Sequence, residues 1–260
     1  MSLPSKFSIN TSETFVRLPK APIVEAVMEV RAQAEAPWDE PLVTDQLKTK
    51  LPDYPNVQSQ QEFRHELKVE LGQKAEGAIQ DMGWKGLRFE SADKLHIAQF
   101  NRDGFTFSRL QPYDSWEQFC GEGLRLWQLH VNLAKPAEIQ RVGLRFINRM
   151  VLSLDEQIED YLQILPQKPK GLDLPIGGFF HHEALGVPGY PYAINIRRTI
   201  QPPDKPTIKE IGLILDIDVF TIEPFQPESD IIERYLAEMR WLKNKVFYGS
   251  IAPKAMERFK

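Results

Sequence analysis

Between Ile23 and Gln33 apolar residues fall on every second position: Val24, Ala26, Met28, Val30 and Ala32 alternate with Glu25, Val27, Glu29, Arg31 and Gln33. Period two places successive side chains on opposite faces, so this stretch predicts a strand with one buried face. The pattern returns in IQRVGLRFINRMVL (139–152), where Val142, Leu144 and Phe146 are set against Arg141, Arg145 and Arg149.

Between these two strands the periodicity changes several times. PLVTDQLKTKL (41–51) predicts a short helix ended by Pro52. Four strand-like runs follow, EFRHELKVEL (62–71), GWKGLRFES (83–91), LHIAQFN (95–101) and FTFSRLQ (105–111), with SADK and NRDG supplying turn chemistry between the last three. DSWEQFCGEGLRLWQLHVNL (114–133) then predicts a long amphipathic helix. Asp114 with Glu117, and Ser115 with Gln118, have capping-box spacing, and Trp116, Phe119, Leu126, Leu129 and Leu133 form an apolar stripe.

The second half repeats this order. After the strand at 139–152, SLDEQIEDYLQIL (153–165) predicts a short helix with a capping box from Ser153 to Glu156. A Pro/Gly/Lys loop (166–178) leads to strands FFHHEALG, YAINIRRTI and KEIGLILDIDVF. DIIERYLAEMRWLKNKVF predicts a closing long helix from an Asp230/Glu233 box. The expected fold is therefore α+β, with two pseudo-equivalent halves: an irregular arm (1–20), a first half (21–135) and a second half (136–260). Each half reads as a strand, a short helix, three or four antiparallel strands and a long helix. The halves match in pattern only. Each is expected to be a curved antiparallel sheet with helices on one face, leaving the other free.

That free face is where charge becomes informative. Superposing the leading strands by their apolar residues puts Ala26, Met28 and Val30 on Val142, Leu144 and Phe146, so Glu25 matches Arg141 and Glu29 matches Arg145. One half carries acids where the other carries bases, and association through these strands would let them neutralise. LILDIDV adds Asp216 and Asp218 opposite the inward Leu213, Leu215, Ile217 and Val219. At ~3.3 Å per residue, Arg141 and Arg145 stand about 13 Å apart, and Arg141 and Arg149 about 26 Å. Three such arginines cannot close on one phosphate. They suit an elongated polyanion, or an ion-pair network that fixes how the halves meet.

Composition narrows the function classes. The 260 residues are 42% hydrophobic and 26% charged, with 5 Trp, 15 Phe and 7 Tyr, enough for a packed core. A formal charge of −4 gives no global attraction to nucleic acid, so any basic site must be local. The single cysteine, Cys120, excludes an intrachain disulfide and fits a reducing compartment. MSLPSKFSINTSETF lacks a signal-peptide run, and no segment approaches the ~20 apolar residues of a membrane span, so no membrane association is expected and the expected location is cytoplasmic.

Motifs for chemistry are sparse. His65, His96, His130, His181 and His182 have no metal-ligand spacing, and adjacent His181 and His182 point to opposite faces of a strand. Ser108 has no glycine elbow, the GEG at Gly121 lies mid-helix, and the IGG at Ile176 precedes a strand where a phosphate loop would precede a helix. No cofactor or metal is implied.

The segments LPKAPIVEAVMEVR, FSRLQPYDSWEQF, RVGLRFINRM, and LDID with FYGSIAPKAMERF run from Leu18 to Phe259. They resemble an uncharacterised, sporadically distributed family of bacterial and archaeal proteins of about 250 residues. The resemblance highlights Pro22, Glu25, Arg109, Trp116, Arg141, Arg145 and Asn148, and implies no activity. The family's patchy distribution resembles that of genes in mobile or defence islands.

Two function classes follow. The first is a binding or interaction protein with a charged sheet face, whose candidate residues are Arg109, Arg141, Arg145, Arg149, Glu25, Glu29, Asp216 and Asp218; its partner would be the protein encoded by a neighbouring gene, or a small anionic ligand. The second is a metal-dependent phosphohydrolase acting on a triphosphate or polyphosphate in a charged tunnel. There Glu25, Glu29, Asp216 and Asp218 would hold the metal and Arg109, Arg141 and Arg145 the phosphates, although only Glu29-Val30-Arg31 echoes the Glu-x-Glu-x-Lys pattern of triphosphate-tunnel enzymes. Nucleic-acid binding ranks third, since the overall charge gives it no support.

Overall fold

Leading strand β1 (Ile23–Arg31) buries Ala26, Met28 and Val30 and turns Glu25, Val27, Glu29 and Arg31 the other way, as its alternation requires. The structure is a computed structural model, which describes residues 7–68, 76–153, 155–164, 170, 171, 174, 176–202 and 210–260. After β1 come α1 (Glu40–Lys50), β2 (Asn56–Lys68), β3 (Glu76–Glu90), β4 (His96–Asn101), β5 (Gly104–Leu110) and α2 (Trp116–Ala134). Then follow β6 (Arg141–Ser153), a 3₁₀ turn (Ile158–Asp160), β7 (Phe180–Gly186), β8 (Tyr192–Gln201), β9 (Glu210–Thr221), α3 (Ser229–Ser250) and α4 (Pro253–Phe259).

Among the described residues the nine strands form one antiparallel sheet, ordered β2-β3-β4-β5-β1-β6-β9-β8-β7. The chain is therefore α+β around a single continuous sheet. The two leading strands meet at its centre, with Val27 opposite Arg145 and Glu29 opposite Gly143.

Local chemistry accounts for the starts of the first two helices. Asp39 accepts the Leu42 N–H at the start of α1, and Ser115 accepts the Gln118 N–H at the start of α2. Helix α2 sits close on the sheet because Gly123 has no side chain: a Cβ there would lie 2.9 Å from the Met28 sulfur and 3.3 Å from the Phe107 ring. That face carries the core, with Phe89, Phe100, Phe105 and Phe107 in the first half and Leu213, Leu215, Ile217 and Val219 in the second. Residues 15–21 carry no helix or strand and are tied to α3, where Phe15 stacks on Tyr248 and the Tyr248 hydroxyl donates to the Val16 carbonyl.

Four differences from expectation appear. The helix expected over 153–165 is only the 3₁₀ turn; Glu156 does accept the Ser153 N–H as a capping box would, but it also binds the Arg258 guanidinium and the Tyr161 hydroxyl, so tertiary partners organise the segment. Helix α3 begins at Ser229 behind Glu228, and no Asp230 side-chain cap forms. Helix α4, opened by Pro253, was not anticipated. Strand β2 begins at Asn56, ahead of the expected 62, while 69–71 and most of the 166–178 loop lie outside the described residues. No described helix is long and apolar enough to cross a membrane.

Candidate functional site

Pairing of β1 with β6, and of β6 with β9, brings acids and bases from three strands onto the face opposite the core. Arg145 lies across from Asp218 in register, yet its guanidinium reaches diagonally to Asp216, donating Nε and Nη2 at 2.7 Å each. Arg197 of β8 donates Nη1 to the same carboxylate at 3.2 Å. Asp216 is 5% exposed, whereas the side chains of Arg145 and Arg197 are 43% and 31% exposed. A buried carboxylate thus anchors two half-exposed guanidiniums.

Arg141 forms the second cluster. It bonds Glu29, holds Asp218 at 3.1 Å, and lies 4.5 Å above the Phe220 ring centroid. Gly143 makes this possible, because a Cβ there would stand 2.6 Å from Arg141 Nη1. The two arginines feel opposite environments. Burial pulls the Arg141 guanidinium below its ordinary value despite Asp218, whereas the hydrogen bonds to Asp216 raise that of Arg145. Gly143→Ala should evict the Arg141 guanidinium from Glu29 and Asp218. The expected cost is about 1–3 kcal/mol by urea denaturation, with no further loss on adding Arg141→Met.

Between these pairs lies an open hollow of about 240 Å³, lined by Glu29, Arg31, Arg141, Arg145, Arg197 and Asp218 among others. Two of its cations, Arg31 and Arg197, were missed by the sequence reading. Arg31 pairs with Glu29 at 3.2 Å, and Arg197 has the strand parity of Asn195 and Thr199 opposite Asp216, a signal visible only once β8 is set beside β9. Glu25 is on the same face beside Ile147, and its charge supports Arg145. Arg149 is on that face too, but far along β6, where it bonds Gln201 across Gly212 at 3.1 Å and leaves the hollow.

Arg109 does not belong to this face. In register it opposes Ala26 on β1 and has the parity of Phe105 and Phe107, so it points into the helix-covered side. There it is 6% exposed, bonds Asp114 at 2.6 Å, and leaves Nε and Nη1 unpartnered. Asn148 is likewise buried on that side with its Oδ1 unpartnered.

The four carboxylates do not converge. Asp216 and Asp218 are engaged by different arginines, Glu29 by Arg141 and Arg31, and among the described residues no three His, Cys, Asp or Glu side chains are grouped to hold a metal. Burial pushes the Cys120 thiol up to about 11, which leaves it protonated and unreactive at neutral pH. No family model, curated protein or solved structure matches this chain.

Proposed function

We propose that the protein is a binding protein whose open sheet face receives an anionic group of a partner. The reading rests on one observation: Arg145 and Arg197 are fixed from beneath by Asp216 yet remain half exposed over a hollow. Guanidiniums locked in this way lose little entropy when they meet a carboxylate or phosphate. Because Arg145 gives only Nε and Nη2 to Asp216, its Nη1 stays available. The ion pairs of Glu29, Arg141, Asp218, Arg145, Asp216 and Arg197 form a charge ladder across β1, β6, β9 and β8, and engagement of both its aspartates by arginine favours binding over a metal-dependent phosphohydrolase.

The same reading treats 21–135 and 136–260 as pseudo-equivalent lobes, with the helices on the face opposite the ladder. Strand order supports it, since from the central join the sheet runs outward as β1-β5-β4-β3-β2 on one side and β6-β9-β8-β7 on the other. The ladder then lies where the lobes meet, and its partner is a protein encoded by a neighbouring gene.

Arg197→Gln tests this. Asp216 keeps both bonds from Arg145, so the urea midpoint should hold while affinity for the purified neighbouring-gene product falls about tenfold, the worth of one charge-assisted hydrogen bond. Equal affinity in calorimetry refutes the reading. Phosphate release from nucleoside triphosphate or polyphosphate with magnesium or manganese would replace it with the enzymatic one.

A further inference from the structure

On the opposite side of the sheet, a cavity of about 480 Å³ lies between the first turn of α2, the middle of α3 and the segment 15–23. Its volume is within the range of small-molecule sites, ~300–1,000 Å³. Four elements supply its polar groups: Lys243 and Arg240 from α3, Asn148 from β6, Arg17 from the 15–23 segment, and the opening residues of α2.

Two of these groups, Lys243 and Asn148, lack the partner such a group usually has. Lys243 occupies a core-facing position of α3, one turn before Phe247, with its ammonium 4.1 Å from the Phe146 ring centroid. Among the described residues no carboxylate pairs with it, and its charged neighbour is another cation, Arg240; burial and that neighbour push its ammonium down to about 7. Asn148 is 1% exposed; its Nδ2 donates to the Leu215 carbonyl at 3.0 Å, while its Oδ1 receives nothing. Ser115 caps only the Gln118 N–H, so the α2 N-terminus adds a favourable dipole for negative charge.

The remaining charges at the cavity are accounted for. Asp114 is held by Arg109 at 2.6 Å and exposed Glu117 stands 3.6 Å from Arg240, which leaves Arg17 and Lys243 without an acid. Tyr113 and Tyr248, the other titratable groups there, are both pushed upward by burial and stay neutral. Phe15, Trp116, Phe247 and Tyr248 provide apolar walls. The Phe146 face attracts the Lys243 ammonium, but burial without an acid beside a second cation is still costly, and a bound anion would offset that cost.

We propose that this cavity binds a small organic anion, a carboxylate or phosphate monoester bearing an apolar group. Lys243 and Arg240 take the charge, Asn148 Oδ1 accepts a donor from the ligand, and the aromatic walls take the apolar part.

The test is calorimetric titration of the full chain with phenylacetate, phenyl phosphate, inorganic phosphate and benzyl alcohol. One or both aryl anions should bind saturably at one site, more tightly than benzyl alcohol; which of them binds tighter assigns the anionic group. Lys243→Met, which keeps an unbranched chain over Phe146, should lose about tenfold or more in affinity without losing stability. At about pH 8 the wild type should take up a proton on binding, seen as a dependence of binding heat on buffer ionisation, and Lys243→Met should not. Failure of both aryl anions to saturate at millimolar concentration overturns the proposal. So does benzyl alcohol binding as tightly as they do, or unchanged affinity in Lys243→Met without proton uptake by the wild type.

Discussion

Replacing both Arg145 and Arg197 with Met should destabilise the protein by about 3–5 kcal/mol, more than Asp216→Ala does. The asymmetry comes from burial. Asp216 is the submerged member of the triad, and without its two arginines it is a carboxylate cut off from water. In Asp216→Ala the stranded groups are two half-exposed guanidiniums that water can reach, so that loss should be nearer 1–2 kcal/mol. Adding Asp216→Ala to the double variant should recover most of its loss, since removing a whole buried ion pair costs far less than orphaning one member. Urea denaturation of the four proteins closes the cycle. Equal losses for the aspartate and the paired arginines would mean that the triad is solvated and the open face is not organised from beneath.

The second large effect is acid sensitivity centred on His130. This residue of α2 is fully buried among Trp38, Trp127, Phe105 and Phe100, with ring centroids 5.3–6.3 Å away, and neither ring nitrogen has a partner. Burial pulls its imidazolium down to about 3. The folded pKa thus lies below the unfolded value of ~6.5. As pH falls below 6.5 the unfolded chain takes up a proton that the folded protein refuses, so stability drops by about 1.4 kcal/mol per pH unit until about pH 3. The contribution at pH 5 is about 2 kcal/mol relative to pH 7.5. His130→Phe removes that titration whatever its packing cost. The stability difference between wild type and variant should therefore shift by this amount between the two pH values, and a difference constant with pH would show that the imidazole is hydrated.

Much of the fold was legible because period two and period 3.6 are properties of the backbone itself. Val142, Leu144 and Phe146 share a face in any strand, and Arg141, Arg145 and Arg149 share the other. Capping at Ser115 is equally local. Misreadings arose where a residue's partners lie far along the chain. Charge alone groups Arg109 with Arg141 and Arg145, whereas its parity with Phe105 and Phe107 places it among the core residues. Lys243 carries a similar signal, a cation on the apolar stripe of α3, but the signal is weak because a lysine in such a stripe usually reaches solvent along its flexible stem. The 153–165 helix was expected from a capping box whose Glu156 instead serves Arg258, about a hundred residues away.

By itself the sequence determined which side chains travel together: acids with acids along β1, guanidiniums with guanidiniums along β6, aspartates along β9. It could do so because alternation is enforced within each strand by sterics. Only the tertiary structure decided that β1, β6, β9 and β8 lie side by side, that two arginines settle on one buried aspartate, and that Lys243 and Asn148 face one cavity. Those outcomes depend on register between segments distant in sequence, which is set by packing of the whole core and leaves no periodic trace in any one segment.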